Sequence, residues 1–89
     1  MKAIPDINRQ IANLNTATAA LNAMGATIQS VMILGSKPVI RIARTGFCNK
    51  LIENGSASYL QVGHDKHGRY RQGFFERYGC RIVWSESLH

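Results

Sequence analysis

The stretch at residues 69–85, RYRQGFFERYGCRIVWS, predicts two antiparallel strands joined by a tight turn at Tyr78-Gly79. The runs on both sides of this pair, residues 69–76 and 80–85, contain the aromatic and branched apolar residues typical of strands. Glycine between two such runs is typical of a turn. Just upstream, Asp65-Lys66-His67-Gly68 predicts another turn, and residues 58–63 predict the strand before it. The C-terminal third of the chain is therefore predicted to be a meander of three strands.

The N-terminal part of the chain has a helical period instead. Apolar or small residues recur at spacings of three and four, which predicts an amphipathic helix over residues 5–24 whose docking stripe is Ile7, Ile11, Leu14, Thr18 and Leu21. Pro5 and Asp6 suit the first turn of such a helix, and Gly25 suits its end.

A hairpin is predicted to follow the helix. Residues 27–34 are rich in Ile, Val and Met, and residues 39–44 form a second short run behind Pro38. Gly35-Ser36-Lys37 lies between the two runs and has the composition of a turn. We expect Ile40 and Ile42 to point to one side of the sheet.

Residues 45–56 allow two interpretations. Either they form a short helix that ends at Asn54-Gly55, or this pair is the type I′ turn of another hairpin. The short helix is favoured. The predicted fold is thus α+β, a single domain over residues 1–89, in which the N-terminal amphipathic helix packs on an antiparallel sheet of four to five strands, with a possible short second helix near 46–54.

The positive charge is concentrated in the C-terminal half. The formal net charge is +6 and the pI is about 9.9, and nine of the eleven Lys and Arg residues lie between positions 37 and 81. A field of this sign attracts a polyanion or an acidic protein surface. We therefore expect nucleic acid or an acidic protein surface as the partner.

Strand alternation suggests where this charge lies. The sequence predicts that the inward face of the sheet contains Ile40, Ile42, Leu60, Val62, Tyr70, Phe74, Ile82 and Trp84. The opposite face would then carry Arg41, Tyr59, Gln61, Arg69, Arg71, Phe75 and Arg81. Tyr78, in its turn, is a further candidate for contact with a partner.

Arginine and aromatic side chains on one sheet surface are suited to single-stranded nucleic acid. Guanidinium groups bind phosphates in a bidentate manner, and aromatic rings stack on unpaired bases. The chain lacks an RNP-like motif, so this expectation depends on charge and strand parity. The alternative is a protein-binding inhibitor or modulator that uses the same surface together with the uncharged Asn- and Thr-rich side of the helix.

Catalysis, cofactors and metals are not expected. The sequence has no paired carboxylates suited to acid–base work and no glycine-rich phosphate loop. Cys48, Cys80, His64 and His67 contain the ligand types of a zinc site, but the cysteines form no CxxC pair, and free thiols are expected instead.

The sequence shows neither a transmembrane segment nor the pattern of a signal peptide. It has no run of about 18 apolar residues, and Asp6 and Arg9 fall where a signal peptide would be apolar. A cytoplasmic protein without membrane contact is expected, and the oligomeric state is left open. In size and basic helix-plus-hairpins composition the chain is similar to small accessory proteins of phages and mobile elements. This resemblance implies an inhibitor of a host nucleic-acid-processing or defence complex.

Overall fold

The computed structural model describes residues 6–66 and 68–87, except for the side chains of Leu34, Gln61 and Asp65. Two helices and five strands lie within these ranges. In chain order they are α1 Ile7–Ala23, β1 Ile28–Leu34, β2 Lys37–Ile42, α2 Gly46–Glu53, β3 Ser58–Asp65, β4 Gly68–Arg77 and β5 Cys80–Ser87. The α+β class is confirmed, as are the hairpin after the helix and the C-terminal meander.

The five strands form one sheet in the order β1-β2-β5-β4-β3. Neighbours within the hairpin and the meander are antiparallel, but β2 and β5 run parallel, with Ile40 opposite Ile82. The expectation of a purely antiparallel sheet was therefore wrong. The chain leaves β2 through α2 rather than a tight turn, and such a crossover allows the meander to bring its last strand alongside β2 in the same direction.

Helix α1 spans Ile7–Ala23, so it is shorter than the predicted range 5–24 at both ends. Asp6 is its N-cap, and the Asp6 side chain accepts a hydrogen bond of 3.1 Å from the backbone N–H of Arg9, which satisfies one of the free donors of the first turn. After Met24, Gly25 adopts a φ of +82°, a left-handed conformation that glycine tolerates well. Pro5 lies outside the described residues.

The docking stripe of α1 differs from the predicted one. Gln10, Ala17 and Leu21 are buried, whereas Ile7 and Ile11 are 52% and 44% exposed. The Nε2 atom of Gln10 donates a 3.0 Å hydrogen bond to the carbonyl of Gly35 in the β1–β2 turn. This bond and the buried Ala17 and Leu21 turn the helix so that the isoleucines face away from the sheet.

The short second helix is confirmed, because residues 46–53 are helical as α2. Cys48 and Leu51 of this helix are buried in the core, and Phe47 meets Phe75 edge to face at 6.4 Å between ring centroids. Cys48 and Cys80 are both free and buried. Neither described helix has the length and apolar character needed to cross a membrane.

Both helices cover the same side of the sheet, where the core lies. The side chains of Ile40, Ile42, Ile82 and Trp84 are fully buried there, and Phe75 is only 6% exposed. The prediction that Phe75 lies on the face opposite the helix was therefore wrong. Pairing of Phe75 with Ile82 and of Gly73 with Trp84 places these four residues on one face, because cross-strand partners share a face.

The contact between Trp84 and Gly73 fixes which side of β4 faces the core. A Cβ atom at Gly73 would collide with the six-membered ring of the Trp84 indole, so the indole lies directly over the backbone of β4. Glycine inside a strand often marks such a close approach. The opposite parity of β4 would move Gly73 away from Trp84 and put a larger side chain beneath the ring.

We expect Gly73→Ala to lower the free energy of unfolding by about 1 to 3 kcal/mol, because the new methyl group overpacks the site beneath Trp84. Urea denaturation followed by tryptophan fluorescence measures this change. Gly46→Ala is the matched control, since a Cβ at Gly46 meets no atom within 4 Å and alanine suits the first turn of α2. Equal stability of the two variants would contradict the close contact.

Candidate binding surface

The side of the sheet opposite the helices is not covered by any described helix, and we call it the open face. Its members pair with one another across the strands, and they alternate with the buried residues of the core. The open face contains Met32 of β1, Lys37, Val39 and Arg41 of β2, Tyr70, Gln72, Phe74 and Glu76 of β4, and Arg81, Val83 and Ser85 of β5.

Phe74 and Val83 form the middle of the open face. They are cross-strand partners, and Val83 is only 6% exposed although no described helix packs over it. The guanidinium carbon of Arg81 lies 5.1 Å from the centroid of the Phe74 ring, within the range of a cation–π contact. The centre of the face is therefore an apolar floor with an arginine beside it.

One end of the open face is an ion-pair network. Lys37 Nζ lies 2.7 Å from Glu76 Oε2, and Arg81 Nε lies 3.8 Å from the same oxygen. The hydrogen bond and the charge of Lys37 hold the pKa of Glu76 below its usual value. A shallow cleft of about 350 Å³ lies here, lined by Ser36, Lys37, Val39, Glu76 and Arg81.

The other end holds a larger cleft of about 410 Å³. It is lined by Arg41, Arg69, Tyr70, Gln72, Ser85, Glu86 and Ser87. Arg41 Nη1 donates a 3.0 Å hydrogen bond to Ser85 Oγ, which orients the guanidinium along the wall. Two arginines, an aromatic ring, an amide, two serine hydroxyls and the Glu86 carboxylate thus surround one cleft. All of these groups except the carboxylate bind phosphates or base edges.

Tyr70 lies on the same strand and the same face as Phe74. A Cβ at Gly63 would lie 2.6 Å from Cζ of Tyr70, so the tyrosine ring packs against the backbone of β3. Phe74 follows Tyr70 by four positions, which is about 13 Å along a strand. The two rings therefore mark the two halves of the open face.

Directly behind the larger cleft, on the helix side of the sheet, several groups converge on one carboxylate. We call this the Glu86 cluster, formed by Arg44, Tyr59, Arg71, Trp84 and Glu86. Arg71 Nε lies 2.5 Å from Glu86 Oε1, and Arg44 Nε lies 3.6 Å from Oε2. The Tyr59 hydroxyl and Trp84 Nε1 each donate a 3.2 Å hydrogen bond to the carboxylate.

The charge of Glu86 is stabilised despite burial, since its side chain is only 8% exposed. Burial raises the pKa of Glu86, but hydrogen bonds from Arg71 and Trp84 and the charge of Arg71 outweigh it and lower the pKa below its usual value. Burial and the Glu86 charge raise the pKa of Tyr59. The Arg71 guanidinium also stacks 3.9 Å from the centroid of the Tyr59 ring.

The structure separates the residues that the sequence placed on one surface. Arg41 and Arg81 lie on the open face, and Arg69 lines the larger cleft from the end of β4. Tyr59 and Arg71 point to the helix side and are held in the Glu86 cluster. Phe75 is in the core, which corrects its assignment as a binding residue, and the Gln61 side chain lies outside the described residues.

Tyr78 is half-buried in the β4–β5 turn at a φ of 57°. Its ring packs against the core, and the guanidinium carbon of Arg77 lies 5.4 Å from the ring centroid. The sequence analysis did not include Tyr70, Phe74, Ser85 or Glu86 in the binding surface. The signal that would have found Tyr70 and Phe74 is Gly73, because its contact with Trp84 fixes which side of β4 faces the core.

The residues considered as metal ligands lie in different environments. Cys48 and Cys80 are buried, whereas His64 is exposed on β3, and His67 lies outside the described residues. Within residues 6–66 and 68–87, no group of three or more His, Cys, Asp and Glu side chains is placed to hold a metal ion. Burial raises the pKa of the Cys80 thiol.

A family model described as "Uncharacterised protein" matches residues 2–87. The chain belongs to this family. No curated protein and no solved structure matches it. The family match spans both helices and all five strands, so the open face and the Glu86 cluster lie within the region that defines the family.

We expect Glu86→Gln to lower the free energy of unfolding at pH 7 by about 1 to 3 kcal/mol, because two arginines lose their anionic partner. The folded-state pKa of Glu86 is depressed, so its stabilising contribution is present above the unfolded value of about 4.3 and is lost as pH falls through the folded pKa. The wild type should therefore lose more stability than the variant between pH 6 and 3, in urea denaturation series.

Glu76→Gln is the control for this measurement. Its carboxylate is 42% exposed, and removal of such a surface pair changes stability by less than about 1 kcal/mol. A Glu86→Gln protein that matches the wild type at both ends of the pH range would show that the Glu86 cluster does not stabilise the fold.

Proposed function

We propose that this protein is a small, non-catalytic binding protein that holds single-stranded nucleic acid, free or within a nucleoprotein complex, on its open face. One observation carries the proposal: Tyr70 and Phe74 of β4 lie on the same open face as Arg41 of β2 and Arg81 of β5. Rings on such a face stack on unpaired bases, and guanidinium groups on the neighbouring strands bind the phosphates.

The electrostatics of the open face favour an anion. Glu76 is already paired with Lys37 and Arg81, and Glu86 beside the larger cleft is neutralised by Arg71 and Arg44. A phosphate that enters either cleft therefore meets carboxylates whose negative charge is already balanced by neighbouring cations. The excess positive charge of the chain, +6 overall, also increases the rate of encounter with a polyanion.

The same ion pairs argue for binding rather than catalysis. A general base near neutral pH needs a raised carboxylate pKa or a free histidine within reach of the substrate. The pKa values of Glu76 and Glu86 are instead lowered by their cationic partners. Both carboxylates are better suited to orient arginines than to accept protons.

An acidic protein surface is the alternative partner, since arginine forks bind carboxylates as they bind phosphates. The specific observation in its favour is the outward side of α1, where Asn8, Asn15, Thr16 and Asn22 are exposed and uncharged. In this alternative the protein inhibits or modulates a nucleic-acid-processing or defence complex. The two buried free thiols fit a reducing compartment such as the cytoplasm for either partner.

We expect Arg41→Ala and Arg81→Ala to flatten the salt dependence of oligonucleotide binding. Each lost phosphate contact should reduce the slope of log K against log [salt] by about 0.7 for a single strand. Fluorescence anisotropy with a labelled single-stranded oligonucleotide measures the slope. Arg77→Ala is the matched control, since Arg77 is exposed but pairs with Cys80 on the helix side of the sheet, and its slope should equal that of the wild type.

Phe74 tests stacking separately from charge. Phe74→Leu retains an apolar side chain over Val83 but removes the ring, and one base–aromatic stack contributes about 1 to 3 kcal/mol. Affinity for the oligonucleotide should fall by about fivefold or more, with an unchanged salt slope. An unchanged affinity would exclude the open face as the stacking surface.

Capture from a lysate distinguishes the two partners. Wild-type protein immobilised on a resin should retain material that is lost after nuclease treatment if nucleic acid is the ligand. Retention of one protein at a fixed ratio after that treatment, with loss of retention in the Arg41→Ala variant, would instead support the acidic protein surface.

A further inference from the structure

The larger cleft of the open face has small side chains between larger ones. Ser85 and Ser87 lie on the same side of β5, and their cross-strand partners on β4 are Gln72 and Tyr70. Arg41 lines the cleft from β2, the neighbour of β5 on its other side. The strands that carry the two walls are therefore two strand spacings apart, about 10 Å. The resulting volume of about 410 Å³ is in the range of small-molecule sites.

The hydroxyl of Ser85 is oriented by Arg41. Arg41 Nη1 donates a 3.0 Å hydrogen bond to Ser85 Oγ, so the serine oxygen is the acceptor in this pair. A serine hydroxyl also has one hydrogen to donate, and within the part of the chain that the structure describes this hydrogen has no acceptor. A guanidinium beside a donating hydroxyl is suited to bind the oxygens of an anion.

The two ends of the open face differ in charge. The two cations of the smaller cleft share the Glu76 carboxylate, so two positive charges lie near one negative charge. At the larger cleft, Glu86 already has two arginine partners behind the sheet. Two further arginines, Arg41 and Arg69, line this cleft, so four described cations surround one described carboxylate. The larger cleft is therefore the better site for an anion with more than one negative charge.

A terminal phosphate matches this site better than an internal one. A phosphodiester within a strand has one negative charge and two unesterified oxygens, whereas a phosphomonoester has a charge of about −1.5 to −2 at pH 7 and three such oxygens. Two of the three can face the fork of Arg41, and the third can accept the hydrogen of Ser85.

We propose that the larger cleft binds the phosphorylated end of a single strand, with the terminal phosphomonoester at Arg41 and Ser85 and the terminal base on Tyr70. This inference rests on the proposed function and adds a preferred end of the strand to it. The Tyr70 ring packs against the backbone at Gly63, so its position is fixed before a base stacks on it. Phe74, about 13 Å along β4 from Tyr70, then stacks on a base further along the same strand, which favours a strand over a free nucleotide.

Oligonucleotides of one sequence that differ only at their ends test this assignment. Internally labelled single strands carry a 5′-phosphate, a 3′-phosphate or no terminal phosphate, and fluorescence anisotropy gives the Kd of each. A phosphate at one of the two ends should tighten binding about tenfold or more, because it gains hydrogen bonds to charged groups. A phosphate at the other end lies outside the cleft and should leave the Kd nearly unchanged.

Ser85→Ala should lower this gain to about threefold or less, because the hydroxyl no longer donates to the phosphate. Ser56→Ala is the matched control, since Ser56 is an exposed serine in the loop between α2 and β3, and this variant should keep the full gain. Arg69→Ala changes a second side chain of the cleft, also exposed, and should lower the gain as well. Circular dichroism shows whether each variant folds.

Equal affinity for all the strands, or an equal gain from a phosphate at either end, overturns the end preference and leaves the proposed function intact. A full gain in both Ser85→Ala and Arg69→Ala overturns it too. Absence of binding to every strand overturns the proposed function and this inference together. A mononucleotide that competes as well as the phosphorylated strand would place a free nucleotide in the cleft and overturn the assignment to a strand end.

Discussion

Val39, Ile40 and Arg41 of β2 lie side by side with Arg81, Ile82 and Val83 of β5, and this parallel pairing is where the two halves of the sheet meet. On one side of it is the N-terminal hairpin, and on the other is the C-terminal meander. The crossover between them contains α2, which packs with α1 on the same side of the sheet. The opposite side is consequently left open, and arginines from both halves are neighbours on it.

Strand β5 then distributes its residues to two different environments. Ile82 and Trp84 are buried against the helices, while Arg81 and Ser85 belong to the open face. Trp84 both fills the core over Gly73 and donates its indole N–H to Glu86, a combination that tryptophan permits because its ring is apolar and its nitrogen is polar. The end of the core is thereby connected to the Glu86 cluster and to the arginines around it.

Two elements show how sequence patterns become ambiguous. In β4, Phe74 and Phe75 are adjacent and therefore point to opposite faces of the sheet. Whichever face turns toward the core, it buries one aromatic ring, so alternation alone does not show which face that is. In α1, Leu14 and Leu21 belong both to a stripe with Ile7 and to a stripe with Gln10. A periodic pattern in the sequence reflects only the hydrophobicity of each residue. The fold also depends on the hydrogen bond from Gln10 to Gly35 and on the space that the Trp84 ring occupies.

The sequence by itself determined where the two helices end, the turns, the hairpin and the basic character of the C-terminal half, because these depend on neighbouring residues and on composition. It also predicted Trp84 and Ile82 as core residues. Only the tertiary structure decided the parallel β2–β5 pairing, the parity of β4 and the role of Arg71 as a partner of Glu86. Each of these depends on contacts between residues distant in sequence, and pairing across strands, unlike capping, has no local signal that specifies the partner.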